Sequence, residues 1–254
     1  MLQYKPVKGI VFSGNVQYRY AAFDYFDYLN REMSFNRKDF DTEWDFCNFG
    51  FTFEYTPENS TKIYAKFNHV NREPTRSDMF GGNESFTGEL ATLNAEKAND
   101  TEFGFEYTLG DRIYANVNFY HMQFKDELVL NGEYGLNGLP CHDNAIESYR
   151  NGLEVDVRWR VISNFNFDVN GSYSSNMATT DTFGKTYHIL TPSTILNADA
   201  HWDGKKFIVG LNTNYRSKMY VDMTNEHYVP YLWTLNFYTS YRWRDYEVGL
   251  RVNN

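Results

Sequence analysis

The chain has 254 residues, of which 19% are aromatic, with 21 Tyr and 21 Phe, and its mean hydropathy is −0.62. No stretch approaches the roughly 18 consecutive apolar residues of a membrane helix, so a helical membrane protein is excluded. A formal net charge of −9 with no cluster of Lys and Arg argues against a nucleic-acid partner, and the two cysteines, Cys47 and Cys141, have neither zinc-site spacing nor the density of a disulfide scaffold.

In chain order, Met1–Lys8 lacks the continuous apolar core and small-residue cleavage site of a signal peptide. A turn at Pro6–Gly9 leads into a first strand, roughly Gly9–Phe23, and a long polar loop at about Asp24–Asp45. Strands follow at Cys47–Tyr55 and Ile63–Val70, joined by the turn Pro57–Ser60, before a second long loop at Asn71–Asp100. Thr101–Tyr107 and Ile113–His121 flank the turn Leu109–Arg112, and a third long loop spans Lys125–Asn151.

From Leu153 the alternation is strict. Leu153, Val155, Val157, Trp159 and Val161 are apolar, while Glu154, Asp156, Arg158 and Arg160 between them are charged. Period two puts these sets on opposite faces of a strand, whereas a helix would scatter both. The pattern continues through Phe165–Tyr173, Leu196–Asp203, Phe207–Arg216, Leu235–Trp243 and Tyr246–Asn253. The turns Ile162–Asn164, Asp203–Lys206 and Arg244–Asp245 alternate with long loops at Asn176–Ser193 and Ser217–Tyr231.

About eleven strands result, each near the ~9–11 residues a tilted strand needs to cross a bilayer. Turns that are short at one end and loops that are long at the other are the asymmetry of an outer-membrane barrel. Trp159, Tyr173, Trp202, Tyr215, Tyr241 and Trp243 fall at strand ends on the apolar face, where aromatic girdles sit. The expected fold class is all-β, an antiparallel transmembrane β-barrel. It is expected to be partial, because single-chain bacterial barrels have even strand counts and lipid tolerates no open edge.

Asn71–Gly82 (NREPTRSDMFGG) resembles the Arg-x-Pro-[Ser/Thr] loop of TonB-dependent receptor barrels. Ala95–Gly104 (AEKANDTEFG) is similar to that family's Pro-Glu-x5-Glu-x-Gly strand entry, with Ala95 in place of proline, and Ser148–Glu154 (SYRNGLE) resembles its Gly-x-Glu strand. Val252–Asn254 is similar to the start of its closing Asn-Leu-Phe-Asn segment. The resemblance, to a Bacteroidetes-like member, covers nearly the whole chain in order. It implies a 22-stranded barrel of which residues 1–254 supply about the eleventh to the twenty-first strands, with the plug domain, TonB box and final strand outside this sequence. It also implies import of a scarce ligand (a siderophore-iron complex, haem, cobalamin or a glycan) by plug release. The partners implied are outer-membrane lipid, the receptor's own plug, the TonB complex and a small-molecule ligand such as a metal chelate. A passive porin, and a soluble β-sandwich or adhesin module, remain alternatives.

Arg72 and Arg76 are candidates for bidentate contact with an anionic ligand. Tyr134 and Tyr149, with Tyr187, Tyr220 and Tyr228, are candidates for stacking on a sugar or catechol. His142, between Cys141 and Asp143, is a candidate for a metal or ferric ligand, although adjacent residues seldom converge on one ion, and an ordinary polar loop is the favoured reading. Glu154, Asp156, Arg158, Arg160, Asp199 and Arg242 are read as a hydrated lumen wall that pairs across strands and meets a plug. No nucleophile elbow or phosphate loop accompanies them, so neither an enzyme nor a cofactor is expected.

Overall fold

The computed structural model describes residues 2–26, 40–81, 93–135 and 138–254. Parts of the three expected loops, residues 27–39, 82–92 (with Gly82) and 136–137, lie outside the described residues.

Seventeen strands and one short helix are described. They run in the order β1 (Leu2–Tyr4), β2 (Ile10–Tyr25), β3 (Phe40–Glu58), β4 (Thr61–Arg72), α1 (Arg76–Met79), β5 (Glu96–Leu109), β6 (Ile113–Lys125), β7 (Leu128–Tyr134) and β8 (Pro140–Asn144). Then come β9 (Glu147–Ile162), β10 (Phe165–Thr180), β11 (Gly184–Tyr187), β12 (Thr194–Asp203), β13 (Phe207–Arg216), β14 (Met219–Tyr220), β15 (Tyr228–Val229), β16 (Leu232–Trp243) and β17 (Tyr246–Val252). One antiparallel meander takes β1, β2, β3, β4, β5, β6, β9, β10, β12, β13, β16 and β17 in turn. The last eleven of these are the strands expected from the alternation. Beyond them are β1, the small pairs β7–β8 and β14–β15 within long connections, and β11, which extends β10 into a hairpin. The sheet is open, with β1 and β17 at its edges.

Register keeps the two faces separate across the sheet. Leu153, Val155, Val157 and Trp159 on β9 stand opposite Tyr173, Gly171, Val169 and Phe167 on β10, while Asp156 and Arg158 stand opposite Asn170 and Asp168. A one-residue slip would invert the whole set, so the pattern specifies the pairing. The apolar face is bare: Phe103 is 58% exposed, Phe119 56% and Val248 73%. Such a face belongs against lipid rather than against a second sheet. Trp159, Trp243 and Tyr246 lie toward the short-turn end of this face, and Tyr173 and Trp233 toward the long-loop end, all exposed. That is a girdle at each rim.

Strand length departs from expectation. β2, β9 and β10 have 16 residues each and β3 has 19, well above the length that crosses lipid. Past the apolar band both faces meet water, so the ladder continues while the hydropathy signal that would report it disappears.

Three glycines on the polar face have a specific cause. Gly104, Gly152 and Gly210 lie directly across from Tyr64, Tyr120 and Tyr238 on neighbouring strands. In each pair a Cβ on the glycine would overlap the tyrosine ring. The ring covers the bare backbone of its partner, an aromatic rescue of glycine in a sheet. Gly104→Val is expected to displace Tyr64 and cost about 1–3 kcal/mol in a urea titration of the folded receptor. Gly249→Ala on the same face, with no neighbour nearer than 3.5 Å, is expected to change little.

Candidate functional site

The polar face is a continuous hydrogen-bonding wall. Lys66 donates to Glu102 at 3.0 Å, and Lys62 pairs with Glu106 at 3.1 Å. Asn118 links β4 to β9, accepting from the Tyr64 hydroxyl at 3.3 Å and donating to Glu154 at 3.5 Å. Asn197 donates to Asn170 at 2.9 Å, and Asn236 to Asn212 at 3.3 Å. Glu154, Asp156, Arg158, Arg160, Asp199 and Arg242 all lie on this polar face, though not all of them pair across strands. Arg158 pairs with Asp156 on its own strand at 3.1 Å, Arg160 pairs with Asp111, and Arg242 bridges Asp203 at 2.8 Å and Glu247 at 3.1 Å. Asp199 stands opposite Asp168, and no ion pair or hydrogen bond to either carboxylate occurs among the described residues. These side chains are largely hydrated, so each ion pair is worth only about 0–1 kcal/mol.

The long-loop end holds the best-buried part of the chain. α1 is closed by a capping box in which the Thr75 hydroxyl accepts from the Asp78 N–H, and Asp78 accepts from the Thr75 N–H at 2.7 Å. Asp78 also faces His142 Nδ1 at 3.0 Å, and Cys141 Sγ donates to the Gly81 carbonyl at 3.3 Å, so α1 and β8 are tied together. Met79 and Phe80 are each 4% exposed. A second knot centres on Glu127, a buried carboxylate that accepts from Ser148 and Arg150 and lies 3.6 Å from His188 Nε2.

Burial pushes the His188 imidazole below its ordinary value of 6.5, and nearby Arg150 adds to the effect while Glu127 opposes it. The folded form therefore holds fewer protons than the unfolded form once pH drops under about 6.5. Stability contributed here is complete above that value and declines as pH falls toward the folded pKa. The opening equilibrium of residues 181–193, read from hydrogen exchange divided by the intrinsic rate at each pH, is expected to grow between pH 7.5 and 5, and His188→Gln to flatten that dependence.

The loop candidates do not converge. Arg72 donates to Glu96 at 2.8 Å on the polar side, and Arg76 lies over the Phe80 ring at 5.4 Å. Tyr149 faces the apolar side, with its hydroxyl on Met177 Sδ at 3.1 Å and Lys185 over its ring at 5.1 Å. Cys141, His142 and Asp143 point at three different partners, Gly81, Asp78 and Asn131, and so form no common metal site. Tyr134 is 74% exposed and rims a cleft of about 290 Å3 lined by Leu130, Pro140, Phe183, Val221 and Met223. Tyr187 and Tyr220 do meet, stacked at 5.9 Å, with Lys218 over Tyr220 at 4.9 Å and over Tyr228 at 5.2 Å.

Sequence reasoning missed Glu127, whose partners lie 21 to 61 residues away, and a cluster of Asp222, Glu226 and His227. The Thr224 hydroxyl and the backbone N–H groups of His227 and Glu226 donate to Asp222 and hold its carboxyl far below the usual range, so Asp222 anchors its own loop.

The family described as TonB dependent receptor-like, beta-barrel, matches residues 3–254. No curated protein sequence matches the chain. Among solved structures, the ferric yersiniabactin uptake receptor of Yersinia pestis is similar, with a TM-score of 0.74 at 15% identity over 99% of this chain and 39% of that one. The copper transporter OprC gives a TM-score of 0.75 at 15% identity, covering 99% and 39%. The siderophore receptor PiuA of Acinetobacter baumannii gives 0.71 at 12%, covering 98% and 37%. The chain thus spans about two fifths of the length of these structures.

Proposed function

The chain belongs to the TonB-dependent receptor β-barrel family, and we propose that it forms about half of a barrel that imports a scarce metal chelate by release of a plug. The family is one of Gram-negative outer-membrane transporters, not enzymes. In this reading the long loops face outside, the short turns face the periplasm, and the polar wall lines the lumen against the plug. The observation that carries it is the register that holds charged and amide side chains on one face from β2 to β17 while the opposite face stays apolar and bare.

A metal chelate is favoured because similar structures are a ferric yersiniabactin receptor, a siderophore receptor and a copper transporter. Energy would come from the TonB complex acting on the plug. Of the loop candidates, Tyr134 is best placed for ligand, since its exposed ring borders a cleft whose lining mixes apolar side chains with Glu133, Asp222 and Thr224. Tyr134→Ala is expected to raise the half-saturating ligand concentration about three- to tenfold, the worth of one aromatic stack, without changing barrel assembly.

The test is growth of a receptor-deleted strain on candidate ferric or cupric chelates, complemented with the full-length receptor, with and without functional TonB. Uptake that needs both the receptor and TonB supports import by plug release. Uptake that persists without TonB would replace this reading with a passive channel.

A further inference from the structure

The β7–β8 hairpin folds over the polar face of the sheet. Glu127 at its root accepts from Ser148 and Arg150 of β9, which share the parity of Glu154 and Asp156. Val129 and Ala145 pack on Ala178, which stands opposite Ser148 on β10. The hairpin therefore lies on the side that the orientation proposed above turns toward the lumen. Beside it is the cleft of about 290 Å3, walled by β7, the start of β8 and the connections that follow β10, β11 and β14.

The chemistry of this cleft is one-sided. Leu130, Val221 and the rings of Tyr134 and Phe183 supply apolar and aromatic surface, while Glu133 and Asp222 supply carboxylates. No Lys, Arg or His is among its described lining residues. Asp222 is engaged by the Thr224 hydroxyl and by backbone N–H groups of its own loop, whereas the Glu133 carboxylate has no hydrogen bond or ion pair among the described residues. Phe183 is held in place: its N–H donates to the Thr180 hydroxyl at 3.1 Å, and its ring fills the space beside Gly132, 3.1 Å from where a Cβ would stand. An adjoining cleft of about 230 Å3 shares Leu130 and Phe183, and its charged lining residues are Asp143 and Asp181, again without a cation.

Carboxylates set in low-dielectric walls attract a cation and repel an anion more strongly than they would in open water. Aromatic faces add to the same preference, since a ring presents its negative face to a positive group. Glu133 belongs to no group of three or more converging metal-ligand side chains among the described residues, so the cleft is not built for a bare metal ion. We infer that it is a subsite for an organic cation, an ammonium or guanidinium group carried on an apolar body, with the charge at Glu133 and the body against Leu130, Phe183 and Val221. For the import proposed above, this selects ligands that present an amine-type group here over chelates whose exposed groups are all anionic. That consequence rests on the import reading; the subsite itself does not.

Three probes of one shape and different charge, benzamidinium, benzamide and benzoate, separate the outcomes when titrated against the full-length receptor in detergent at neutral pH, with binding read by ligand-observed NMR. Benzamidinium is expected to bind about fivefold more tightly than benzamide, the worth of one partly exposed ion pair, and benzoate more weakly than either. Glu133→Gln is expected to bring benzamidinium down to the level of benzamide. Phe183→Leu should weaken benzamidinium about three- to tenfold by removing the ring. Glu147→Gln, an exposed acid on the opposite face, should behave as the wild type. Heat-modifiable mobility checks that each variant is assembled. A preference unchanged by Glu133→Gln, or benzoate binding as tightly as benzamidinium, would overturn the subsite. TonB-dependent uptake without any preference for benzamidinium would leave the import reading standing and lose this inference alone, and the preference without TonB-dependent uptake would do the reverse.

Discussion

Val157→Arg in the full-length receptor is expected to lower stability by roughly 2–4 kcal/mol or to stop assembly, while Arg158→Ala next to it costs less than about 1 kcal/mol. Val157 lies midway along the apolar run of β9, opposite Ala115 on β6 and Val169 on β10. A guanidinium there has no partner on its own face and too short a reach to either rim. Arg158 is on the polar face, 5.3 Å from the Tyr114 ring centroid and, among the described residues, paired with Asp156 alone. Heat-modifiable mobility in gels reports assembly, and urea titration in vesicles reports the energy. Equal effects of the two substitutions would show that the faces are assigned wrongly.

The second large effect is expected at Glu127, where Glu127→Ala should cost about 3 kcal/mol, confined to the long-loop end. Its side chain is 8% exposed and accepts from Ser148, itself 1% exposed, and from Arg150. Truncation leaves the serine hydroxyl unsatisfied and the guanidinium without its counter-charge. Among the described residues of 126–146 the buried apolar side chains are few: Leu128, and Val129 and Ala145, which cluster with Ala178. Faster hydrogen exchange and proteolysis in 126–146, with the β9 and β10 ladders still protected, is the expected signature. Uniform loss across the sheet would mean that Glu127 supports the barrel as a whole.

The transmembrane ladder was legible because lipid on one side and water on the other write period two into every strand. All eleven expected strands are present, and Glu154, Asp156, Arg158, Arg160, Asp199 and Arg242 lie on the polar face that alternation assigns them. Legibility stopped at the edge of the lipid. β2 and β3 run on to Tyr25 and from Phe40 through residues expected to be loop, because alternation has no meaning where both faces are wet. The pairs β7–β8 and β14–β15 were invisible for the same reason.

The glycines of two quoted motifs, Gly104 and Gly152, turned out to have a packing cause that one strand's sequence cannot show, since the tyrosine that needs the space sits on its neighbour. The loop candidates were least legible. Arg72, Arg76 and His142 are engaged by Glu96, Phe80 and Asp78, partners that only the tertiary fold brings close.

The 19 residues of β3 span about 60 Å along the strand and, at a tilt near 40°, about 45 Å in height against an apolar band of about 25 Å. The surplus stands above the membrane as a parapet of hydrogen-bonded ladder. Tyr20 bonds Glu43 across that extension at 2.7 Å, and Tyr18 bonds Asp45 beside it. Backbone amides there should remain protected well past the apolar band, so the β2–β3 ladder carries ordered backbone beyond the level at which the outward face turns polar, and the two strands meet the long-loop end as one stiff ribbon rather than as two free arms.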